Sequence, residues 1–323
     1  MNSVTNKEDI MYIAIDLGGT NIKGGIVREN GEIVLKDMIP TNAGRHYSEI
    51  IKDIAKLINK MLSDAGENIA KVKSIGVGIP GTCDAKEGVV IYASNINFVN
   101  VPVADELHKY FDVPVFIEND ANCAALGEYT VLDEEIDNMV FVTLGTGVGG
   151  GIIIDKKLYT GKNGTAAEIG HMAINSEGTV CSCGARGCYE TYASVTALIR
   201  QTKEFIENNP GSEFSKSVSG CEITGRTAFE AAKRGDADAK SIVDKWILYV
   251  ATGIVNIINL LQPEVLIIGG AISKEGNYLL NPIIEYQMDN AYSKIKNPTR
   301  IMTAKLGNDA GLIGSAFLGK GVE

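Results

Sequence analysis

The chain of 323 residues carries 30 Lys and Arg against 40 Asp and Glu, with 45% apolar residues and 36 glycines. That length fits two domains of roughly 150 residues, each able to bury a core, and the apolar fraction excludes wholesale disorder. A formal charge of −10, with no Lys/Arg-rich run, excludes a non-specific nucleic-acid binder, which needs a cationic face for phosphates.

Residues 1–10 are polar and charged without an apolar stretch, so no signal peptide is expected there. Residues 11–16 form a short apolar run entering Leu17-Gly18-Gly19-Thr20, a strand leading into a glycine turn. Residues 24–28 follow, then Asn30-Gly31, a hairpin signal, then 33–39, so the chain opens with three short antiparallel strands. Ser48 is placed to cap a helix whose apolar positions Ile51, Ile54, Ile58, Met61 and Leu62 keep to one face. Strands return at 74–79 and 113–117, and residues 121–129 read as a helix.

The opening pattern then recurs. Residues 139–143 read as a strand, 144–151 as a glycine turn and 152–155 as a second strand. DLGGTNIKGGIV, from Asp16, and TLGTGVGGGIII, from Thr143, share this order and suggest an internal duplication. Helices are expected at Val195–Asn208, 228–233 and Ala237–Leu261, and a last strand at 264–268 runs into Gly269-Gly270. Residues 246–263 hold no charge but contain Asn256, Asn259 and Gln262, which favours a helix buried between two layers over a membrane span. No low-complexity linker separates the halves, which places the domain boundary at a hinge near residue 118.

Three strands thus end in glycine turns: Gly18-Gly19-Thr20, Gly145-Thr146-Gly147 and Gly269-Gly270. Glycine lets a backbone approach a ligand closely and turn its N–H groups towards phosphate oxygens. The Gly145-x-Gly147-x-x-Gly150 spacing imitates a dinucleotide fingerprint, but a strand follows where that motif needs a helix. Facing phosphate-binding hairpins, one per domain, are the reading; tight hairpins without a ligand are the alternative. Asp16 would hold Mg²⁺ through water, with Thr20, Asn21 and Lys23 near phosphates, which suggests an ATP-dependent phosphotransferase.

Glu118-Asn119-Asp120 ends an apolar strand, and carboxylates at the carboxyl ends of buried strands face ligand crevices in α/β proteins. Asp120 suits the base that takes a hydroxyl proton during phosphoryl transfer, and Asn119 suits a polyol; capping the next helix is the other duty open to Asp120. Three of the six cysteines crowd into Cys181, Cys183 and Cys188, ten residues after His171. Three thiols and one imidazole make a closed, structural tetrahedral zinc site. Glu168 and Glu190 flank that loop and are candidates for gripping sugar hydroxyls.

Together DLGGTNIKGG, GIPG, END, LGTGVGGG, EIGH and CSCGARGCYE, with LGNDAGLIGSA near the end, resemble the ROK sugar kinases over almost the whole chain. The resemblance implies an actin-like, ribonuclease-H-type α/β fold of two domains with an interdomain cleft. The small N-terminal domain would be 1–118, joined by a terminal helix in 311–323, and the larger one 119–310. It implies ATP with Mg²⁺, structural Zn²⁺, and phosphorylation of a hexose at the C6 hydroxyl, glucose first, with an N-acetylhexosamine kinase or fructokinase as alternatives. Asp120 matches the family base. Gly81, Asn95, Asn119, Glu168, His171 and Glu190 match sugar contacts, and His171, Cys181, Cys183 and Cys188 match the zinc ligands. Gly18, Gly19, Gly145, Thr146, Gly147, Gly269 and Gly270 match the nucleotide turns. Where glucokinases of this family often read Asn-Leu-Gly-Trp, this chain has Asn95-Ile96-Asn97-Phe98. The resemblance also implies a cytoplasmic homodimer or homotetramer without nucleic-acid or membrane partners. Some family members are sugar-sensing repressors with a DNA-binding module ahead of the first strand; with ten residues before Met11, a kinase is expected here.

Overall fold

The computed structural model describes residues 10–292 and 298–321. The N-terminal residues 1–9, where no leader is expected, and the last two residues of the expected terminal helix lie outside them. The elements begin with β1 (Met11–Leu17), β2 (Asn21–Arg28), β3 (Ile33–Pro40), α1 (Tyr47–Asp64), β4 (Val72–Ile79), β5 (Thr82–Asp84), β6 (Val89–Ala93) and β7 (Phe98–Val101). There follow α2 (Val103–His108), β8 (Val115–Asn119), α3 (Asp120–Thr130), β9 (Met139–Leu144), β10 (Val148–Ile154), β11 (Lys157–Leu158), α4 (Glu190–Ala193) and α5 (Val195–Asn208). The remainder is α6 (Glu213–Ser217), α7 (Thr227–Lys233), α8 (Ala237–Leu261), β12 (Val265–Gly269), α9 (Asn277–Asn290), β13 (Arg300–Thr303) and α10 (Ala310–Phe317).

The chain divides into two compact units: one of residues up to Asp137, Gly151–Ala167 and Lys305 onward, the other of Asn138–Gly150 and Glu168–Ala304. The first division therefore falls nineteen residues beyond the expected hinge at 118, since 137 − 118 = 19. The reason is the packing of α3, which stays with the first unit. Its Gly127 lies against the backbone of Ala310 and Gly314 on α10.

In the first unit the sheet order is β3-β2-β1-β4-β8, with β1, β2 and β3 antiparallel and β4 and β8 parallel to β1. Helices cover both faces, so β1 is apolar at consecutive positions rather than alternating. Ile13, Ile15 and Leu17 join the core that includes Ile51, Ile54, Ile58 and Met61 of α1, while Tyr12 and Ala14 pack with Leu312, Ala316 and Phe317 of α10. The paired glycines of β2 serve the same division. Gly24 admits Met61 on one face and Gly25 admits Leu312 on the other. Closest of all is α10, where any side chain at Gly314 would overlap the Cys123 carbonyl, and one at Gly76 the Ser315 carbonyl. The β2–β3 hairpin turns at Asn30-Gly31, with Gly31 at φ +89°. His46 rather than Ser48 caps α1: its ring accepts from the Ser48 N–H, and Tyr47 starts the helix. Strands β5, β6 and β7 form a separate antiparallel sheet with no counterpart in the sequence reading.

The second sheet is ordered β11-β10-β9-β12-β13, with β12 parallel to both β9 and β13, and the division into units passes through β10. Numbered from its own first strand, each five-stranded sheet reads 3-2-1-4-5, as the duplicated sequence pattern suggests. Even the register repeats. Asp16, penultimate in β1, pairs with Gly78, and Thr143, penultimate in β9, pairs with Gly269. Strand β10 starts at Val148 and not at 152, so the glycine turn shrinks to residues 145–147. Helix α8 is long and apolar enough to cross a membrane by length and composition, yet 61% of its most apolar window is buried in the protein. It is not buried all round: Trp246 and Val250 are inside, whereas Leu248 and Leu260 are exposed. Helix α9 was hidden in the sequence by Pro282 in its interior, a position where proline removes one helical hydrogen bond.

Glu118 on β8 is 3% exposed. Its Oε1 accepts from the Asn119 N–H at 2.8 Å and from Asn122 Nδ2 at 3.0 Å. Burial outweighs these bonds and holds its carboxyl above the ordinary 4.5. Below that ordinary value both folded and unfolded chains hold the proton. As pH rises above it the unfolded chain ionises first, so this group costs stability up to and beyond its raised value. Glu118→Gln is therefore expected to be more stable than the wild type at pH 7, the difference vanishing below about pH 4; denaturant midpoints across that range check it. Gly314→Ala is expected to lose about 1–3 kcal/mol or more by overpacking against the Cys123 carbonyl, measured by the same unfolding curves.

Candidate active site

In the first unit, β1 delivers Asp16 to the edge of the turn Gly18-Gly19-Thr20, and β2 carries Asn21 and Lys23 away from it. Cross-strand pairing sets Lys23 opposite Asp16, and their side chains form an ion pair of 2.7 Å. Both are nucleotide-site candidates, and here they hold each other. A Cβ on Gly19 would sit 3.2 Å from the Asn95 carbonyl, so the turn and the candidate sugar residue Asn95 are neighbours. Asn95 is exposed within a 3-10 turn, Ser94–Ile96, that connects β6 to β7. Asn97 ends that turn in the left-handed region at φ 55°, a conformation Asn tolerates better than most residues.

The β8–α3 junction places Glu118, Asn119 and Asp120 in three different settings. Glu118 points into the core, as above. Asn119 is the N-cap of α3: its Oδ1 accepts from Ala121 and Asn122 N–H groups at 2.9 and 3.2 Å. Its Nδ2 donates to the Gly81 carbonyl at 3.0 Å, bringing two candidate sugar residues together. Gly81 sits at φ +150° with no room for a side chain beside Tyr92 and Ala93. The capping duty open to Asp120 thus falls mainly to its neighbour. Asp120 is the first residue of α3 and exposed, with Oδ1 accepting from the Ala121 N–H at 2.9 Å. A carboxylate at a helix start is favoured by the helix dipole. Nearby Cys83, a plain buried thiol, is pushed up to about 12 by burial and then by Glu118 and Asp120.

In the second unit the turn Gly145-Thr146-Gly147 is held from two sides. The Gly145 carbonyl accepts from the Val195 N–H at the start of α5, at 2.9 Å. The Glu190 carboxylate accepts from the Val148 N–H at 3.3 Å and crowds Gly147 so closely that a side chain there would collide with it. Gly270, at φ +88°, lies against the Leu144 carbonyl, while Gly269 is the last residue of β12 and packs on Phe141. Glu168 precedes and His171 ends the 3-10 turn Ile169–His171, whose Gly170 packs on the Val148 carbonyl. Val195 was marked by no motif, because a backbone N–H leaves no pattern in a sequence.

His171, Cys181, Cys183 and Cys188 converge so that one ligand atom from each lies within 4.8 Å of all the others. Cys181 Sγ is 3.7 Å from His171 Nδ1, and Cys183 Sγ is 3.7 Å from Cys188 Sγ. A tetrahedral ion with metal–sulfur bonds of about 2.3 Å needs ligand separations of about 3.8 Å, so the donor set fits one. The Ala185 N–H favours the Cys183 thiolate and lowers its pKa. The loop is shaped by two left-handed glycines, Gly184 at φ +90° and Gly187 at φ +73°, the latter pressed on the Asn175 backbone. Cys181 Sγ also lies 3.3 Å from Glu190 Oε1, so Glu190 touches both this cluster and the glycine turn.

Such an arrangement can bind anionic phosphates through backbone N–H groups, hold a hard cation on Asp16, and take a proton on Asp120. The ROK family model matches residues 12–322. A glucokinase of Halalkalibacterium halodurans is 38% identical over 318 residues, 98% of this chain and 96% of that protein. A xylose repressor of Caldicellulosiruptor bescii is 30% identical, with 96% of this chain aligned to 78% of the repressor. Among solved structures, the ROK family glucokinase of Streptomyces griseus in complex with glucose and AMPPNP superposes with a TM-score of 0.78 at 33% identity, covering 95% of this chain and 98% of that one. This chain belongs to the ROK family and has its actin-like α/β fold.

Proposed function

We propose that this chain is an ATP-dependent hexokinase of glucokinase type that transfers the γ-phosphoryl group of ATP to the C6 hydroxyl of glucose. The observation that carries the reading is Asp120 at the first position of α3, braced by the Asn119 cap, in a chain matched along 98% of its length to a glucokinase. Asp120 accepts the C6 hydroxyl proton as that oxygen attacks the γ-phosphorus; the bond to the bridging oxygen breaks and ADP leaves. The Gly18–Thr20 and Gly145–Gly147 turns offer N–H groups to the phosphates, and Gly269-Gly270 closes beside the second turn. Thr20, Asn21 and Lys23 lie at the first, where Lys23 can exchange Asp16 for a phosphate oxygen. Asp16 would hold Mg²⁺ together with the nucleotide, and the ion would supply charge neutralisation on the phosphates. Asn95, Asn119, Gly81, Glu168, His171 and Glu190 are the proposed sugar-recognition residues. Asn119 spends its carbonyl on the helix cap and one amide N–H on the Gly81 carbonyl, which leaves its second amide N–H for a hydroxyl.

The Cys/His cluster is proposed to hold zinc, with His171, Cys181, Cys183 and Cys188 as its ligands and no open position for chemistry. Exposed Leu248, Leu260, Ile284 and Met288 on α8 and α9 support a homodimer or homotetramer, and six free cysteines support the cytoplasm as compartment.

A coupled ADP-release assay with MgATP against glucose, mannose, fructose, N-acetylglucosamine and N-acetylmannosamine tests the assignment. Fastest turnover on glucose is expected. Fastest turnover on an acetylated sugar would move the function to amino-sugar phosphorylation, and silence on all five in zinc-loaded protein would favour a sugar sensor, as the repressor relatives suggest. Asp120→Asn is expected to lower kcat about 10²–10⁴-fold with glucose binding nearly intact; near-normal turnover would sink the role of base. Cys183→Ser is expected to lose the metal by elemental analysis and to weaken sugar binding, and an unchanged metal content would refute the ligand set.

A further inference from the structure

The turn between β1 and β2 contains two adjacent glycines, Gly18 and Gly19, so the peptide joining them is the one most free to rotate. Its C=O and N–H point in opposite directions because the peptide is planar and trans. Whichever way the Gly18 carbonyl faces, the Gly19 N–H faces the other. Something must therefore fix that carbonyl if the N–H is to be presented to a ligand.

Thr41, directly after β3 and fully buried, is that fixture. Its Oγ1 donates to the Gly18 carbonyl at 2.6 Å, and its own N–H donates to the Thr20 carbonyl at 2.9 Å. The Gly18 N–H is spent on the Asn21 carbonyl at 3.0 Å. Among the described residues, no protein acceptor serves the N–H groups of Gly19 or Thr20. The turn thus ties the Gly18 and Thr20 oxygens back into the protein and leaves two donors without a protein acceptor, the polarity an anion requires. Thr41 is itself held, since Arg45 Nη2 donates to its carbonyl at 2.8 Å and Arg45 Nη1 reaches Asp53 Oδ2 at 2.9 Å.

We propose that Thr41 is a positioning residue for phosphoryl transfer: its hydroxyl locks the Gly18–Gly19 peptide so that the Gly19 N–H faces the nucleotide phosphates. The proposal rests on the reading of this turn as a phosphate site and deepens it. Thr41 touches no substrate. In Thr41→Val the shape and the backbone bond to Thr20 remain, and only the lock on Gly18 is lost.

The test uses the full chain, with KM and kcat for MgATP and for glucose, and calorimetric binding of AMPPNP with Mg²⁺. Thr41→Val is expected to raise KM for MgATP and weaken AMPPNP about tenfold, with glucose KM and glucose binding unchanged. Thr41→Ser, which keeps the hydroxyl, is expected to restore nucleotide affinity to within about threefold of the wild type. Thr41→Ala, expected to show the same split, serves if the valine variant does not fold. Unchanged nucleotide affinity in Thr41→Val, or parallel loss of nucleotide and glucose affinity tracking a fall in Tm, would overturn the proposal. Failure of the wild type to bind AMPPNP at all would overturn the phosphate-site reading beneath it, a result distinct from wild-type binding that the valine variant keeps.

Discussion

The architecture of the first unit depends on backbone meeting backbone without side chains in between. Helix α10 lies so close to β4 and α3 that Gly76, Gly127 and Gly314 each face a carbonyl or amide of the opposing element. Dispersion and exclusion of water then act over the closest separation that two elements can reach. The consequence reaches the chemistry. Helix α3 begins with Asp120, and β4 pairs with β8 through Glu118 and Asn119, so the helix that fixes these two elements also fixes the candidate base. Glu128 adds a polar tie, its buried carboxylate accepting from the Lys305 and Leu306 N–H groups where the chain returns towards α10.

Much of this was legible because glycine and cysteine mark places where geometry leaves few alternatives. The turns after β1, β9 and β12 were readable from Gly18-Gly19, Gly145-x-Gly147 and Gly269-Gly270. The cluster of His171 with three cysteines was readable because local spacing almost forces its members together. Repetition of strand, turn and strand suggested an internal duplication, and the two five-stranded sheets share one strand order.

What escaped is equally physical. The hinge was placed at 118 because a strand ends there, but side-chain pattern does not reveal that α3 packs on a helix nearly two hundred residues later. The three-stranded sheet of β5, β6 and β7 was missed because Asn95, Asn97 and Asn100 interrupt its short apolar runs. Two asparagines in the left-handed region bend the chain there. Ser48 drew the cap of α1 by propensity, whereas His46 took it with its ring nitrogen. Asn119 was read for a polyol alone, and the structure gives half of its amide to the helix. Side chains that serve two partners at once, as Glu190 also does, cannot be apportioned from sequence.

The matched registers of the two sheets have one more implication. Asp16 and Thr143 occupy the same station, each opposite a glycine of the parallel neighbour and each one residue before the strand ends. One copy of the repeat carries a negative charge at that station and the other a neutral hydroxyl. The duplicated scaffold is therefore symmetric in backbone and polarised in electrostatics, and a single side chain breaks the equivalence. Of the two copies, only the first carries a carboxylate at that station and the second carries a hydroxyl, so two halves with one strand order and one register differ in the charge they set beside their glycine turns.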